Sequence, residues 1–289
     1  MASRWSLRRA KFRQILAGNA CVHPASVHDA ISARIAADVG YEMGMFAGSV
    51  ASLAVLGAPD LIVLTLSEFA DQAHRISRGA ELPIMTDADH GYGNALNVMR
   101  TVEELETAGV SGLSIEDTLL PQPFGSGGKP ELISIEEGVG KMKAALAARH
   151  DKDLVIAGRT SAVAITGVAD AVARAKAYEA AGVDAMFYVG AKTQEEIDAL
   201  CGAVRIPVIL GGVPERLLDR GMLAARGVRV CLVGHQPFQA SIQAIYATMK
   251  ALRDGTPGSE LKGLASTELA DRATRAGSYT DAIKRYLEP

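Results

Sequence analysis

Two short apolar runs in this chain stop abruptly at acids. The segment Pro83-Ile84-Met85-Thr86 leads into Asp87-Ala88-Asp89-His90-Gly91-Tyr92-Gly93-Asn94, and Gly112-Leu113-Ser114-Ile115 leads into Glu116-Asp117. Buried strands that end in carboxylates place oxygen ligands for a hard cation at one rim of an α/β fold. Acids packed this closely repel one another and resist ionisation, which a divalent cation relieves. Mg²⁺, with Mn²⁺ as a substitute, fits better than Zn²⁺. The set is all oxygen and lacks a paired cysteine–histidine group. Because Mg²⁺ keeps several waters, Asp87 is expected to bind the metal directly and Asp60, Asp89 and Glu116 to hold its waters.

Other polar residues fall at the same rim. Arg159 follows the apolar run 154–158. A barrel interior does not tolerate an unpaired guanidinium, so Arg159 either pairs with Glu116 or meets an anionic substrate, and the reading here favours the substrate. Gly48-Ser49 offers backbone amides and a hydroxyl to a carboxylate. His235 ends the last strand, where an imidazole either contacts substrate or is an ordinary core residue. His90, beside the acids, reads as structural support, and His23 is left open. Acids such as Asp87 and Asp89 can also be turn caps, so each residue alone is weak. Ser49, Asp60, Asp87, Asp89, Glu116, Arg159 and His235 together make a coherent mouth.

Apolar runs at 21–24, 43–48, 83–89, 112–116, 154–160, 185–190, 207–211 and 229–234 have strand length. Amphipathic stretches at 26–39, 66–78, 95–108, 135–148, 169–181 and 194–203 alternate with them, several closed by glycine. Eight strands alternating with helices predict an α/β fold of the (β/α)8 TIM-barrel type, with chemistry at the carboxyl ends of its strands. A doubly wound sheet would want G-x-G-x-x-G after the first strand, and Gly91-Tyr92-Gly93 is neither that motif nor in that place. The barrel is expected over residues 1–254. After Gly255-Thr256-Pro257-Gly258 a polar helical tail, 255–289, is expected to pack on its own barrel or on a neighbouring subunit.

The bulk properties exclude other classes. With 48% hydrophobic and 22% charged residues and a net charge of −3, the 289-residue chain reads as a globular protein with no nucleic-acid track. The cluster Arg4, Arg8, Arg9, Lys11 and Arg13 lies at helical spacing and reads as a solvated helix face. No membrane-spanning run and no secretory signal are read. Cys21, Cys201 and Cys231 are far apart and read as buried, inert thiols, so a cytoplasmic protein is expected.

The chain resembles the phosphoenolpyruvate mutase/isocitrate lyase superfamily over nearly its whole length. The resemblance is carried by Gly48-Ser49, Asp60, residues 87–94, Ile115-Glu116-Asp117, Gly158-Arg159-Thr160 and Gly234-His235. It is strongest toward the branch of bacterial Mg²⁺-dependent oxaloacetate decarboxylases, through Gly48-Ser49-Val50-Ala51-Ser52, residues 87–100 and Glu116-Asp117-Thr118-Leu119-Leu120-Pro121. The resemblance implies Mg²⁺ on Asp87, a small 2-keto diacid held by Ser49, Arg159 and His235, and decarboxylation of oxaloacetate to pyruvate through an enolate. It also implies a homotetramer, a dimer of dimers with the last helix exchanged between subunits. Residues 117–134 lack the catalytic cysteine of the carbon–carbon lyases, and Thr118 stands where the mutases and hydrolases have lysine. Ser161-Ala162-Val163 lacks a glutamate common in relatives, and Gly211-Gly212-Val213 lacks a tyrosine of one decarboxylase type, so the substrate could differ. The alternatives are a lyase acting on a 2-hydroxy diacid of the methylisocitrate or dimethylmalate type, and a metal-binding barrel without activity.

Overall fold

The structure is a computed structural model that describes residues 3–288. Eight strands pair in chain order, all in parallel: β1 (Ala25–Ser26), β2 (Gly44–Phe46), β3 (Ile84–Asp87), β4 (Gly112–Glu116), β5 (Val155–Thr160), β6 (Ala185–Val189), β7 (Val208–Gly211) and β8 (Val228–Cys231). The sheet closes through Val22. Its N–H donates to the Arg229 carbonyl at 2.9 Å, and its own carbonyl accepts from the Cys231 N–H at 2.9 Å. Pro24 has no N–H to offer, so the expected first strand is split. Val22 pairs with β8, and pairing with β2 resumes at Ala25. The result is a (β/α)8 TIM-barrel fold.

The helices between strands begin where side chains satisfy their free amides. Thr65 and Glu68 cap Leu66–Gly79 reciprocally, Asn94 and Asn97 do so for Ala95–Thr107, and Thr193 and Glu196 for Gln194–Gly202. Inside the barrel, alternate side chains such as Met45, Met85, Ala157, Phe187, Ile209 and Val230 make one buried cluster. Phe12 and Leu16 of helix Arg4–Ala17 join this cluster and close the amino-terminal end of the strands. A Cβ on Gly112, the first residue of β4, would lie 2.6 Å from the Phe12 ring. Burying two such side chains contributes about 1.5–3 kcal/mol each.

The basic cluster of that helix is the solvated face the spacing suggested only at Arg4 and Lys11, which are exposed. Arg8 and Arg9 are buried. Arg8 donates to the Ser77 carbonyl, and Arg9 to the carbonyls of Val110 at 3.0 Å and Glu106 at 2.6 Å and to Asp151 at 2.8 Å. Arg13 pairs with Asp184 at 2.9 Å. Charge spacing marks a helix, but it does not reveal that carbonyls of helix ends and a loop lie opposite.

Two compact units are distinguished, one ending at Gly234 and one beginning at His235. The second unit holds helix Gln236–Arg253, which ends before Gly255, a short 3-10 turn Gly258–Glu260, and helices Thr267–Thr274 and Ala276–Tyr286. No residue of Gln236–Arg253 is buried. Among the described residues, no helix is long and apolar enough to cross a membrane.

Candidate active site

Register brings the rim together. Asp87, the last residue of β3, is the neighbour of Ser114 on β4, and Glu116, the last residue of β4, is the neighbour of Arg159 on β5. Ser114 and Glu116 are two apart and share the inner face. The Ser114 hydroxyl donates to Asp87 Oδ1 at 3.0 Å. Arg159 then joins three strands: Nη1 donates to Asp87 Oδ2, and Nη2 pairs with Glu116 Oε2 at 3.1 Å. Its Cζ lies 5.5 Å from the centre of the Phe187 ring, on the next strand. Asp117 points the other way. It accepts from Arg174 at 3.0 Å and from the Tyr178 hydroxyl at 2.8 Å, and so anchors the end of β4 to helix Val168–Ala181.

After β3 the chain makes an unusual turn. Asp89 has φ 47° and Tyr92 φ 60°, a left-handed conformation that non-glycine residues seldom adopt. The turn seats the Asp89 carboxylate against Gly48, where a Cβ would lie 2.5 Å from Oδ1 and 2.7 Å from Oδ2. Gly48 and Ser49 open the short helix Gly48–Ala51 that follows β2, so the expected Gly-Ser pair adjoins the acids. Asn94 ends the turn as a helix cap, receiving the Leu96 N–H at 2.9 Å. Asp60 is exposed on the loop after β2, and its negative charge adds to those that raise Asp89.

The electrostatics follow from three acids, Asp87, Asp89 and Glu116, around one guanidinium. Burial, then Asp87 and Glu116, push the Asp89 carboxyl well above its usual range. Glu116 is raised by burial against the pull of Arg159. Arg159 itself is opposed by burial, but Asp87, Glu116 and Asp89 override this and hold it more firmly protonated than usual. His90 is pushed down to about 4 by burial and by Lys141, which keeps it neutral. His23 lies elsewhere, its ring nitrogens against the carbonyls of Cys231 at 2.8 Å and Leu218 at 3.2 Å. His235 stands at the N-cap position of helix Gln236–Arg253, without a side-chain bond to the helix amides, and belongs to the second unit.

Residues 12–253 match the phosphoenolpyruvate phosphomutase family. The chain belongs to that family. It is 57% identical over 282 residues, 98% of each chain, to an oxaloacetate decarboxylase of Bradyrhizobium sp. strain BTAi1. It is 59% identical over 268 residues, 93% of each chain, to an oxaloacetate decarboxylase of Bradyrhizobium diazoefficiens. Among solved structures of the superfamily, phosphonopyruvate hydrolase in complex with oxalate and Mg²⁺ superposes with a TM-score of 0.85 at 28% identity, covering 97% of this chain and 99% of that one.

The residues of this family member fit a divalent cation of the hard type. The donors at the rim are carboxylate oxygens, buried and crowded enough that Asp89 resists ionisation beside Asp87 and Glu116. Among the described residues, no three acidic, histidine or cysteine side chains converge tightly enough to cage an ion by themselves. A hard divalent cation needs only one or two carboxylates when water and substrate complete its coordination. Sequence reading passed over Ser114, although its place two residues before Glu116 puts it on the same face. It also passed over Phe187 and over Lys141, a lysine on the buried stripe Gly138, Lys141, Met142, Ala145 of helix Ile135–Ala148.

Proposed function

We propose that this protein removes CO₂ from oxaloacetate to give pyruvate, with Mg²⁺ or Mn²⁺ held at Asp87 and its waters oriented by Asp60, Asp89 and Glu116. The observation that carries the reaction is the likeness to oxaloacetate decarboxylases over almost the full length of both chains. The metal, when bound, supplies Lewis-acid polarisation of the C2 ketone. The C3–C4 bond breaks, its electron pair becomes the enolate of pyruvate, and C3 then takes a proton. Arg159 sets a fixed positive charge beside the oxygens that gain electron density, and needs no rearrangement to do so. Ser49 would hold the C1 carboxylate, and His235 would position the leaving carboxylate. The Phe187 ring under Arg159 supports the guanidinium and keeps water from one side of it. The absence of cysteine from 117–134 weighs against the lyase alternative.

A homotetramer built as a dimer of dimers and a cytoplasmic location are part of the same reading. The former is supported by the exposed helix of the second unit, the latter by three free, buried cysteines. The reaction is tested by a coupled pyruvate assay on 2-keto and 2-hydroxy diacids, with and without chelator. Oxaloacetate alone is expected to turn over, EDTA to abolish turnover beyond the spontaneous rate, and Mg²⁺ or Mn²⁺ to restore it. Asp87→Ala is expected to lower kcat by about 10³-fold. Full activity in EDTA, or Mg²⁺-dependent turnover surviving in Asp87→Ala, would overturn the metal assignment.

A further inference from the structure

We infer that Lys141 is a positioning residue for the acidic rim: its buried ammonium holds the His90 carbonyl and thereby fixes the turn that follows Asp87 and presents Asp89. The inference rests on the reading of those carboxylates as a divalent-cation site.

Helix Ile135–Ala148 turns Gly138, Lys141, Met142 and Ala145 inward, and all but Lys141 are small or apolar. An ammonium buried there is unfavourable unless it is bonded. Lys141 is 3% exposed, and its Nζ donates to the His90 carbonyl at 2.9 Å. Burial lowers its pKa, while Glu137, Glu116 and Asp117 act to keep it charged. A buried cation thus has a backbone oxygen of the turn as its bonded partner.

The turn needs such a hold. Asp89, Gly91, Tyr92 and Gly93 have φ of 47°, 78°, 60° and 147°, and the non-glycine residues keep such values only where their surroundings impose them. Successive carbonyls are tied down one by one. Ala88 accepts from the Gly91 N–H at 2.9 Å, Asp89 from the Glu116 N–H at 2.8 Å, and Gly91 from the Thr101 hydroxyl at 3.0 Å. His90 accepts from Lys141, the one tie of the four that carries a full charge and so the strongest. Without it the His90 carbonyl is buried and orphaned, next to an imidazole Nδ1 that already lacks a partner. The peptide adjoining Asp89 would then rotate, and its carboxylate would leave the seat against Gly48.

The test uses the full chain stripped of metal. Mn²⁺ is titrated in while the signal of free Mn²⁺ is followed by electron paramagnetic resonance, and amide hydrogen exchange of residues 88–92 is measured without metal. Lys141→Met is expected to weaken Mn²⁺ binding about 10–100-fold, the usual effect of losing a supporting hydrogen bond, and to speed exchange in the turn. Lys141→Arg, which keeps a charged donor, should bind Mn²⁺ more tightly and exchange more slowly in the turn than Lys141→Met. Met142→Ala opens a cavity in the same helix without touching the turn and should leave both readings unchanged. Lys141→Met with wild-type affinity and wild-type exchange overturns the inference, as does equal damage from Met142→Ala. If Lys141→Met cannot be recovered folded, Lys141→Gln and Lys141→Arg are compared: loss only in the neutral variant supports the role, and equal behaviour overturns it. Wild-type protein that ignores Mn²⁺ would refute the metal reading instead, leaving hydrogen exchange to judge Lys141.

Discussion

Arg159 commits two N–H groups to carboxylates from two different strands, Asp87 and Glu116, and no point charge can do the same. Arg159→Lys should therefore fold normally yet lose about 10²–10³-fold in kcat/KM, because the fixed charge near the developing enolate is displaced. The pH profile gives a second reading. Burial already raises the Glu116 pKa and Arg159 opposes that rise, so weakening the pair lets the carboxyl take a proton at higher pH. The acidic limb of the profile should move upward in Arg159→Lys, and an unmoved limb would show that Glu116 does not govern it. The thiols give an opposite, alkaline signature. Burial pushes Cys21 up to about 11 and Cys201 and Cys231 up to about 12, from an ordinary 9.0. Protons held by the folded state and released by the unfolded one stabilise below pH 9. That contribution is lost as pH rises from 9 toward about 11 for Cys21 and about 12 for Cys201 and Cys231, by roughly 1 kcal/mol per pH unit for each thiol. Urea midpoints measured from pH 8 to 10.5 should fall accordingly, and replacing Cys201 with alanine should flatten the decline.

Two glycines separate what the elements do. A Cβ at Gly48 would collide with the Asp89 carboxylate, whereas one at Gly112 would collide with the Phe12 ring at the far end of the barrel. Gly48→Ala is expected to cost about 10–100-fold in kcat/KM with little change in Tm. Gly112→Ala is expected to lose about 1–3 kcal/mol, or roughly 2–10 °C in Tm, and keep its activity. Equal effects on both properties in both variants would contradict this division of roles. How much of this was legible depends on which force shaped each element. The strand β4 and the helix Ile135–Ala148 have the bounds that sequence reading expected, because burial on both faces writes an apolar run and a serine cap writes a start. The strand β1 did not, since Pro24 interrupts a ladder that the apolar pattern alone would continue. The pairing of Glu116 with Arg159 was foreseen as one of two possibilities. The seat of Asp89 on Gly48 and the hold of Lys141 on His90 were not, because each joins residues distant in sequence whose types alone describe a turn and a helix. Lys141 did leave a trace, a charge on an apolar stripe, which is a signal that can be searched for.

At the scale of the whole molecule, the second unit poses a question that the barrel does not. Helix Gln236–Arg253 lines up Ile242, Ile245, Tyr246, Met249 and Leu252 at spacings of three and four, one face of a helix, and leaves them 45%, 54%, 64%, 66% and 49% exposed. Isolated apolar residues on a surface need no explanation, but a contiguous stripe of this kind marks an interface. The occupant that requires no further component is a second copy of the chain, as in the dimer of dimers proposed above. A carboxylate placed in the middle of the stripe would have to be buried unpaired on association. Ile245→Asp should therefore behave as a smaller species in light scattering coupled to gel filtration. Lys250→Glu, a charge change at a residue that already carries charge, should keep the assembly. The wild-type Tm should rise with protein concentration, as expected when association and folding are linked, and that dependence should vanish in Ile245→Asp. A wild-type protein that is monomeric at micromolar concentration, with a Tm indifferent to dilution, would rule out the assembly and leave the stripe without an occupant.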